Sequence, residues 1–175
     1  ALEGYSTGLV DADIYGPSAP GLFNLMCEMP DVELIDGKNY VTPFTNYGVK
    51  VMSIGFFIDP NEAVIWRGSR ASSGLTQLLK DTNWGELDYL IIDTPPGTGD
   101  VHITLLQNFS PTGVIVVTTP QEMALSDVKK AINMYSDKQI GIPIIGVVEN
   151  MSWFTPVNHP DEKYYIFGNG GGERL

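Results

Sequence analysis

One cysteine, Cys27, stands in 175 residues, so no disulfide can form within the chain and a secreted disulfide scaffold is excluded. A reducing, cytoplasmic setting fits. Basic residues are also scarce, with 10 Lys and Arg against 21 Asp and Glu, and the formal net charge of -11 repels nucleic acid phosphates and anionic lipid surfaces. Neither nucleic acid nor membrane is expected as a partner. The longest apolar stretches, around Gly113–Val117 and Ile142–Val148, fall far short of the roughly 20 residues a membrane-spanning helix needs. No charged-then-apolar signal segment opens the sequence, and it holds no internal repeat or low-complexity tract.

What is present is an ordinary globular balance, 43% hydrophobic and 18% charged, enough for one sizeable core and one domain. The apolar runs are short and rich in β-branched residues: Gly8–Val10, Val49–Ile54, Tyr89–Ile92, Val114–Val117 and Ile144–Val148. Such runs predict buried strands. Leu125, Val128, Ile132 and Tyr135 recur at helical spacing and predict a helix laid on a sheet. A second helix is expected over Ser72–Asp81, with Leu75, Leu78 and Leu79 inward and Ser72 or Ser73 as cap. Alternation of strand and helix implies parallel pairing, hence an α/β fold with a mostly parallel, doubly wound sheet. Within Asn39–Ile54, Tyr40–Thr42 and Val49–Val51 flank Asn46-Tyr-Gly48, which predicts a small antiparallel hairpin at a sheet edge.

Three strands end in polar residues. Tyr89–Ile92 runs into Asp93-Thr-Pro-Pro-Gly-Thr-Gly-Asp100, and in open parallel sheets ligands bind at the carboxyl ends of strands. A carboxylate there suits Mg²⁺, held mostly through water. Gly97 and Gly99 leave backbone N–H groups free to approach a phosphate. Gly8–Val10 likewise ends in Asp11-Ala-Asp13, and two such ends can converge on one ion; taken singly, Asp11 or Asp13 also fits the cap of a following turn. The third strand leads to Asn150, whose amide suits a base edge as well as an ordinary loop start.

Asp11–Ser18, Trp66-Arg-Gly68, Asp93–Asp100, Thr119–Glu122, Glu149–Ser152 and Phe167–Leu175 together, in this order, resemble the Mrp family of MinD/ParA-type P-loop ATPases. The resemblance implies a P-loop NTPase-like fold, ATP hydrolysis with Mg²⁺ at a homodimer interface, and carriage of an iron–sulfur cluster to apo iron–sulfur proteins. It places Asp11 and Asp13 in switch I, one near the Mg²⁺ shell and one positioning the attacking water. Asp93 becomes the Walker B carboxylate, Gly97 and Thr98 part of switch II, and Asn150 an adenine contact. A nucleotide-switched positioning or scaffold protein of MinD/ParA type, without cluster transfer, is the alternative. An adaptor without nucleotide binding is a third reading.

Two departures bear on this. No G-x-x-x-x-G-K-[ST] occurs in the sequence. The resemblance implies that the phosphate loop precedes Ala1, since Ala1–Ser6 reads as a helix end stopped by Gly4, and that the domain continues past Leu175. These 175 residues alone are expected to bind ATP poorly. Over Trp153–Tyr165, many members carry a Cys-x-x-Cys pair, and this chain has none. His159 is expected at the surface, and Cys27 as a small buried apolar side chain rather than a cluster ligand. Arg67 suits a phosphate, a carboxylate or solvent. The stripe within Met123–Tyr135 is expected to be core.

Overall fold

The computed structural model describes residues 1–57 and 69–175, without the side chains of residues 69–71. Arg67, together with the rest of Trp66-Arg-Gly68, lies outside the described residues. The chain divides into two compact units, Ala1–Asn108 and Phe109–Leu175.

In the first unit, β1 (Thr7–Asp11) pairs in parallel with β5 (Val49–Ser53) on one side and with β6 (Tyr89–Asp93) on the other. Val10, Val51 and Met52 are fully buried, as the β-branched runs predict, but the later runs depart from that expectation: Tyr89, Leu90, Ile91, Ile115, Val117, Ile145, Val147 and Val148 are 40–64% exposed. An edge strand, β4 (Phe44–Asn46), adds antiparallel to β5, giving a four-stranded sheet in the order β4-β5-β1-β6. The expected edge hairpin is therefore present, but its first arm is Phe44–Asn46 rather than Tyr40–Thr42. Its turn is Tyr47-Gly48, both at positive φ (52° and 74°), the twist that closes a two-residue hairpin. Tyr40 and Val41 belong to a separate hairpin, β2 (Val32–Ile35) with β3 (Lys38–Val41), closed in the same way by Asp36-Gly37 at φ 50° and 80°.

Helix α1 (Ala19–Leu22) is one short turn. Helix α2 (Ser69–Lys80) buries Leu75, Leu78 and Leu79. It begins before Ser72, so Ser72 and Ser73 sit inside the helix rather than at its cap; Ser72 instead accepts a hydrogen bond from Thr104 (2.8 Å) on α3 (Asp100–Asn108). Val101 and Leu105 of α3 join the core. Gly4 has φ +87° and closes a turn onto the Ala1 carbonyl at 2.9 Å.

Cys27 is a correction: it is exposed, not buried. It lies after α1 in a loop of turns where Asn24 and Cys27 both take positive φ (53° and 64°), outside the helices and strands that form the core.

In the second unit, β7 (Val114–Thr118) and β8 (Ile144–Glu149) pair in parallel. Helix α4 (Glu122–Ser136) joins them and turns Leu125 and Tyr135 inward against β7, with Val128 and Ile132 half-buried beside them. Met123, by contrast, is 84% exposed and outside the stripe. The segment Trp153–Tyr165 folds back on itself through paired backbone bonds between Phe154 and Tyr164, both 2.9 Å. His159 lies at its surface, 3.1 Å from Glu162.

Candidate nucleotide and metal site

Register builds the site in the first unit. Because β1 lies between β5 and β6, Asp11 is directly opposite Asp93 on one side and Ser53 on the other. Three polar residues thus end three adjacent parallel strands at their carboxyl edge, where the chain must leave the sheet and backbone groups become available. The Ala12 N–H donates to the Asp93 carbonyl (2.9 Å), so the two strand ends stay tied beyond the last pair.

Asp11 is only 2% exposed and accepts three hydrogen bonds. Oδ1 takes the Asp13 N–H at 3.1 Å; Oδ2 takes the Ala19 N–H at 3.0 Å and the Ser53 hydroxyl at 3.1 Å. A buried carboxylate is tolerable only with such partners. Asp13 is half-buried; its Oδ1 accepts the Tyr15 and Gly16 N–H groups at 3.1 and 3.2 Å, the turn cap that the sequence also allowed. Asp13 also lines a cleft of about 370 Å³ with Tyr15, Pro95, Pro96, Gly99, Asp100 and Val101. Tyr15 and Asp100 were not singled out by the sequence.

The Asp93 carboxyl is held above the ordinary carboxylate range, first by loss of hydration and then by the Asp11 and Asp13 charges. Its side chain is solvent-exposed, so the dehydration is one-sided: protein backs the group while its front stays open. Mutually repelling carboxylates with an open front are an arrangement that a divalent cation neutralises. Among the described residues no group of three or more His, Cys, Asp or Glu side chains is gathered to hold a metal unaided.

Pro95–Gly99 carries the chain from β6 into α3. Gly97 has φ +93°, and nothing stands within 4 Å of where a Cβ would be at Gly97 or Gly99, so both backbones face open space. Thr98 is exposed beside them. Behind this loop, burial pulls the His102 imidazole below its ordinary pKa, opposed by its backbone bond to Gly99.

Asn150 belongs to the second unit and is exposed at the end of β8. Its N–H donates to the Thr118 carbonyl (2.7 Å), and its Oδ1 caps the Met151 N–H (2.9 Å). Glu149 is a residue that sequence reasoning missed. Its carboxylate takes the Gly172 and Gly170 N–H groups (2.6 and 3.2 Å) and the Ser152 hydroxyl (2.9 Å), and these bonds, that of Gly172 foremost, hold it below the usual carboxylate range. It latches the glycine-rich segment to the strand that presents Asn150. No sequence signal reveals a contact formed by a return of the chain over 23 residues.

A family profile described as ParA, "NUBPL iron-transfer P-loop NTPase", matches residues 1–175. The chain belongs to the NUBPL iron-transfer P-loop NTPase family. An iron-sulfur cluster carrier protein of Synechocystis sp. is 45% identical over 174 residues, 99% of this chain and 49% of the relative. Another from Escherichia coli K12 is 44% identical over 175 residues, 100% of this chain and 46% of the relative. The iron-sulfur cluster transfer protein NUBPL of Dictyostelium discoideum is 44% identical over 170 residues, 96% of this chain and 50% of the relative. This member of the NUBPL family spans about half the length of the curated relatives it matches. Among solved structures, a nucleotide-binding protein of Archaeoglobus fulgidus in complex with ADP, with cobalt, aligns with a TM-score of 0.79 at 38% identity, over 99% of this chain and 65% of that one. The α/β architecture with a mostly parallel sheet is thus shared with a nucleotide-binding protein.

Proposed function

We propose that this chain is the part of an iron–sulfur cluster carrier that coordinates Mg²⁺-nucleotide and hydrolyses ATP, and that its two compact units belong to one P-loop NTPase domain. The observation that carries the proposal is the register that sets Asp11 beside Asp93, with Asp13, two residues beyond Asp11, lining a cleft with Pro95, Pro96 and Gly99. Asp13 and Asp93 are assigned to the outer shell of Mg²⁺ and to the attacking water; Asp11, expected with Asp93 at the metal, is reassigned because its two oxygens are already taken by three protein donors, and it holds Asp13 in place while adding negative charge to the site. The open backbones of Gly97 and its neighbour Thr98 suit a terminal phosphate. Asn150 is assigned to the adenine edge. Bound Mg²⁺ supplies charge neutralisation, and the residues supply position, which is most of what phosphoryl transfer asks of a protein.

The names of the relatives favour cluster carriage over a positioning or scaffold role. Apo iron–sulfur proteins as recipients and a homodimer as the working form are part of the same proposal. A cytoplasmic setting accords with the lone cysteine. Among the described residues no helix is long and apolar enough to cross a membrane. A cluster as cargo needs thiolates, and this chain brings one, Cys27, which is exposed. The residues here do not by themselves make a cluster site.

The test is ATP turnover by the complete protein that contains this sequence. Asp13→Asn and Asp93→Asn should each remove most turnover while the protein stays folded; turnover equal to wild type in either would refute the assignment. Anaerobic reconstitution tests the cargo: iron bound beyond a Cys27→Ala control supports a thiolate role for Cys27, and no difference argues that the cluster is held elsewhere.

A further inference from the structure

Ser53 ends the strand on the far side of β1 from Asp93 and is completely buried, with 0% exposure. Its hydroxyl has a defined job in both directions: Oγ–H donates to Asp11 Oδ2 (3.1 Å), and Oγ accepts the Gly55 N–H (3.0 Å). Asp11 Oδ2 also holds the Ala19 N–H, while Oδ1 holds the Asp13 N–H. One carboxylate therefore joins the end of β5, the start of α1 and the Asp13 turn.

We propose that Ser53 is a positioning residue: by fixing the rotation of the Asp11 carboxylate it sets the height of the Asp13 backbone, and through it the Asp13 side chain on the cleft. A carboxylate turns freely about its Cβ–Cγ bond unless its two oxygens are held separately, since that terminal torsion is broad and roughly two-fold. Here Oδ2 is held by two donors from different segments, so Oδ1 is presented to the Asp13 N–H in one orientation. Without the hydroxyl, Oδ2 keeps only the Ala19 N–H and Oδ1 the Asp13 N–H, so the carboxylate loses the one bond that ties its orientation to the end of β5. The Gly55 N–H also loses its acceptor, which loosens the exit of β5. A cation held mainly through water and phosphate is sensitive to such a shift, because each outer-shell oxygen must sit where a water can bridge.

This inference rests on the Mg²⁺-nucleotide site proposed above, and the test separates the two. In the complete protein, Ser53→Ala should lower kcat roughly ten-fold, the scale of a sub-ångström misplacement. The Mg²⁺ concentration for half-maximal turnover should rise several-fold, and KM for ATP should stay within about two-fold, because Ser53 lies away from nucleotide contacts. Circular dichroism and the melting temperature report folding. If Ser53→Ala does not fold, Ser53→Cys keeps the volume with a weaker donor and should show the same raised Mg²⁺ requirement. Wild-type kcat and Mg²⁺ requirement in the serine variant, with Asp13→Asn inactive, would overturn the role of Ser53 and leave the site standing. A loss shared equally by kcat and KM with an unchanged Mg²⁺ requirement would also overturn it, since general loosening gives that pattern. Full activity of both Asp13→Asn and Asp93→Asn would instead remove the site itself.

Discussion

Replacing Asp11 and Asp13 separately by alanine should damage turnover in both cases but stability in only one. Asp11→Ala strips the acceptor from three donors, of which the Ala19 N–H and the Ser53 hydroxyl belong to residues 4% and 0% exposed. A buried donor left without a partner costs about 1–3 kcal/mol. The Asp13 N–H is part-buried and regains some solvation from water. Removing Asp11 also relieves its repulsion of Asp93, which works in the opposite direction. The net destabilisation expected is roughly 2–4 kcal/mol, a large share of a typical domain's 5–15 kcal/mol. Asp13→Ala loses two bonds to exposed N–H groups that water replaces, for about 1 kcal/mol or less. Urea unfolding of the complete protein resolves the two: with a slope of about 1–3 kcal/mol per molar, Asp11→Ala should lower the midpoint by about 1–2 M more than Asp13→Ala. Equal midpoints would refute the view of Asp11 as the buried organiser and Asp13 as the half-buried working group.

Three further outcomes follow from the same geometry. Asp93→Asn should raise stability at neutral pH, since a native carboxyl pKa above its unfolded value is a penalty that is full above the native pKa and gone below the unfolded one. Its advantage over wild type in urea should therefore shrink as pH falls through the carboxylate range; an advantage constant with pH would contradict the repulsion. Gly171→Ala should destabilise by about 1–3 kcal/mol, because the new Cβ would stand 2.8 Å from Pro120 Cα and 2.9 Å from the Pro120 carbonyl. Faster proteolysis at the glycine-rich segment would show it, and wild-type protease resistance and melting temperature would contradict it. Cys27 should react with a thiol reagent in the native protein about as fast as in urea, and strong native protection would contradict its exposure.

The sequence was most legible where one side chain reports one position. Asp11 and Asp93 close apolar runs, and parallel pairing alone brings them together. The leucines of α2 and the stripe of α4 were read correctly because their inward residues are apolar and regularly spaced. Helix α3 was not, because its buried side includes His102 and Thr104 beside Val101 and Leu105, which blurs the stripe. The β2–β3 hairpin was missed although Asp36-Gly37 marks its turn, since all four residues of β2 are exposed and no alternation draws the eye. Cys27 was misjudged because the general tendency of cysteine to be buried does not carry over to a residue in an exposed turn between elements. Ser53 and Glu149 act through tertiary contacts 42 and 23 residues away, distances over which local pattern carries no information.

The most direct measurement places the ion. With Mn²⁺ in place of Mg²⁺ and ADP bound to the complete protein, paramagnetic broadening of backbone amide signals reports which residues lie near the metal. A cation seated at the carboxyl ends of β1 and β6 predicts selective broadening of Asp13, Asp93, Gly97 and Gly99, abolished by Asp93→Asn. Broadening centred on other residues, or unchanged by that substitution, would contradict a metal-nucleotide site at these strand ends.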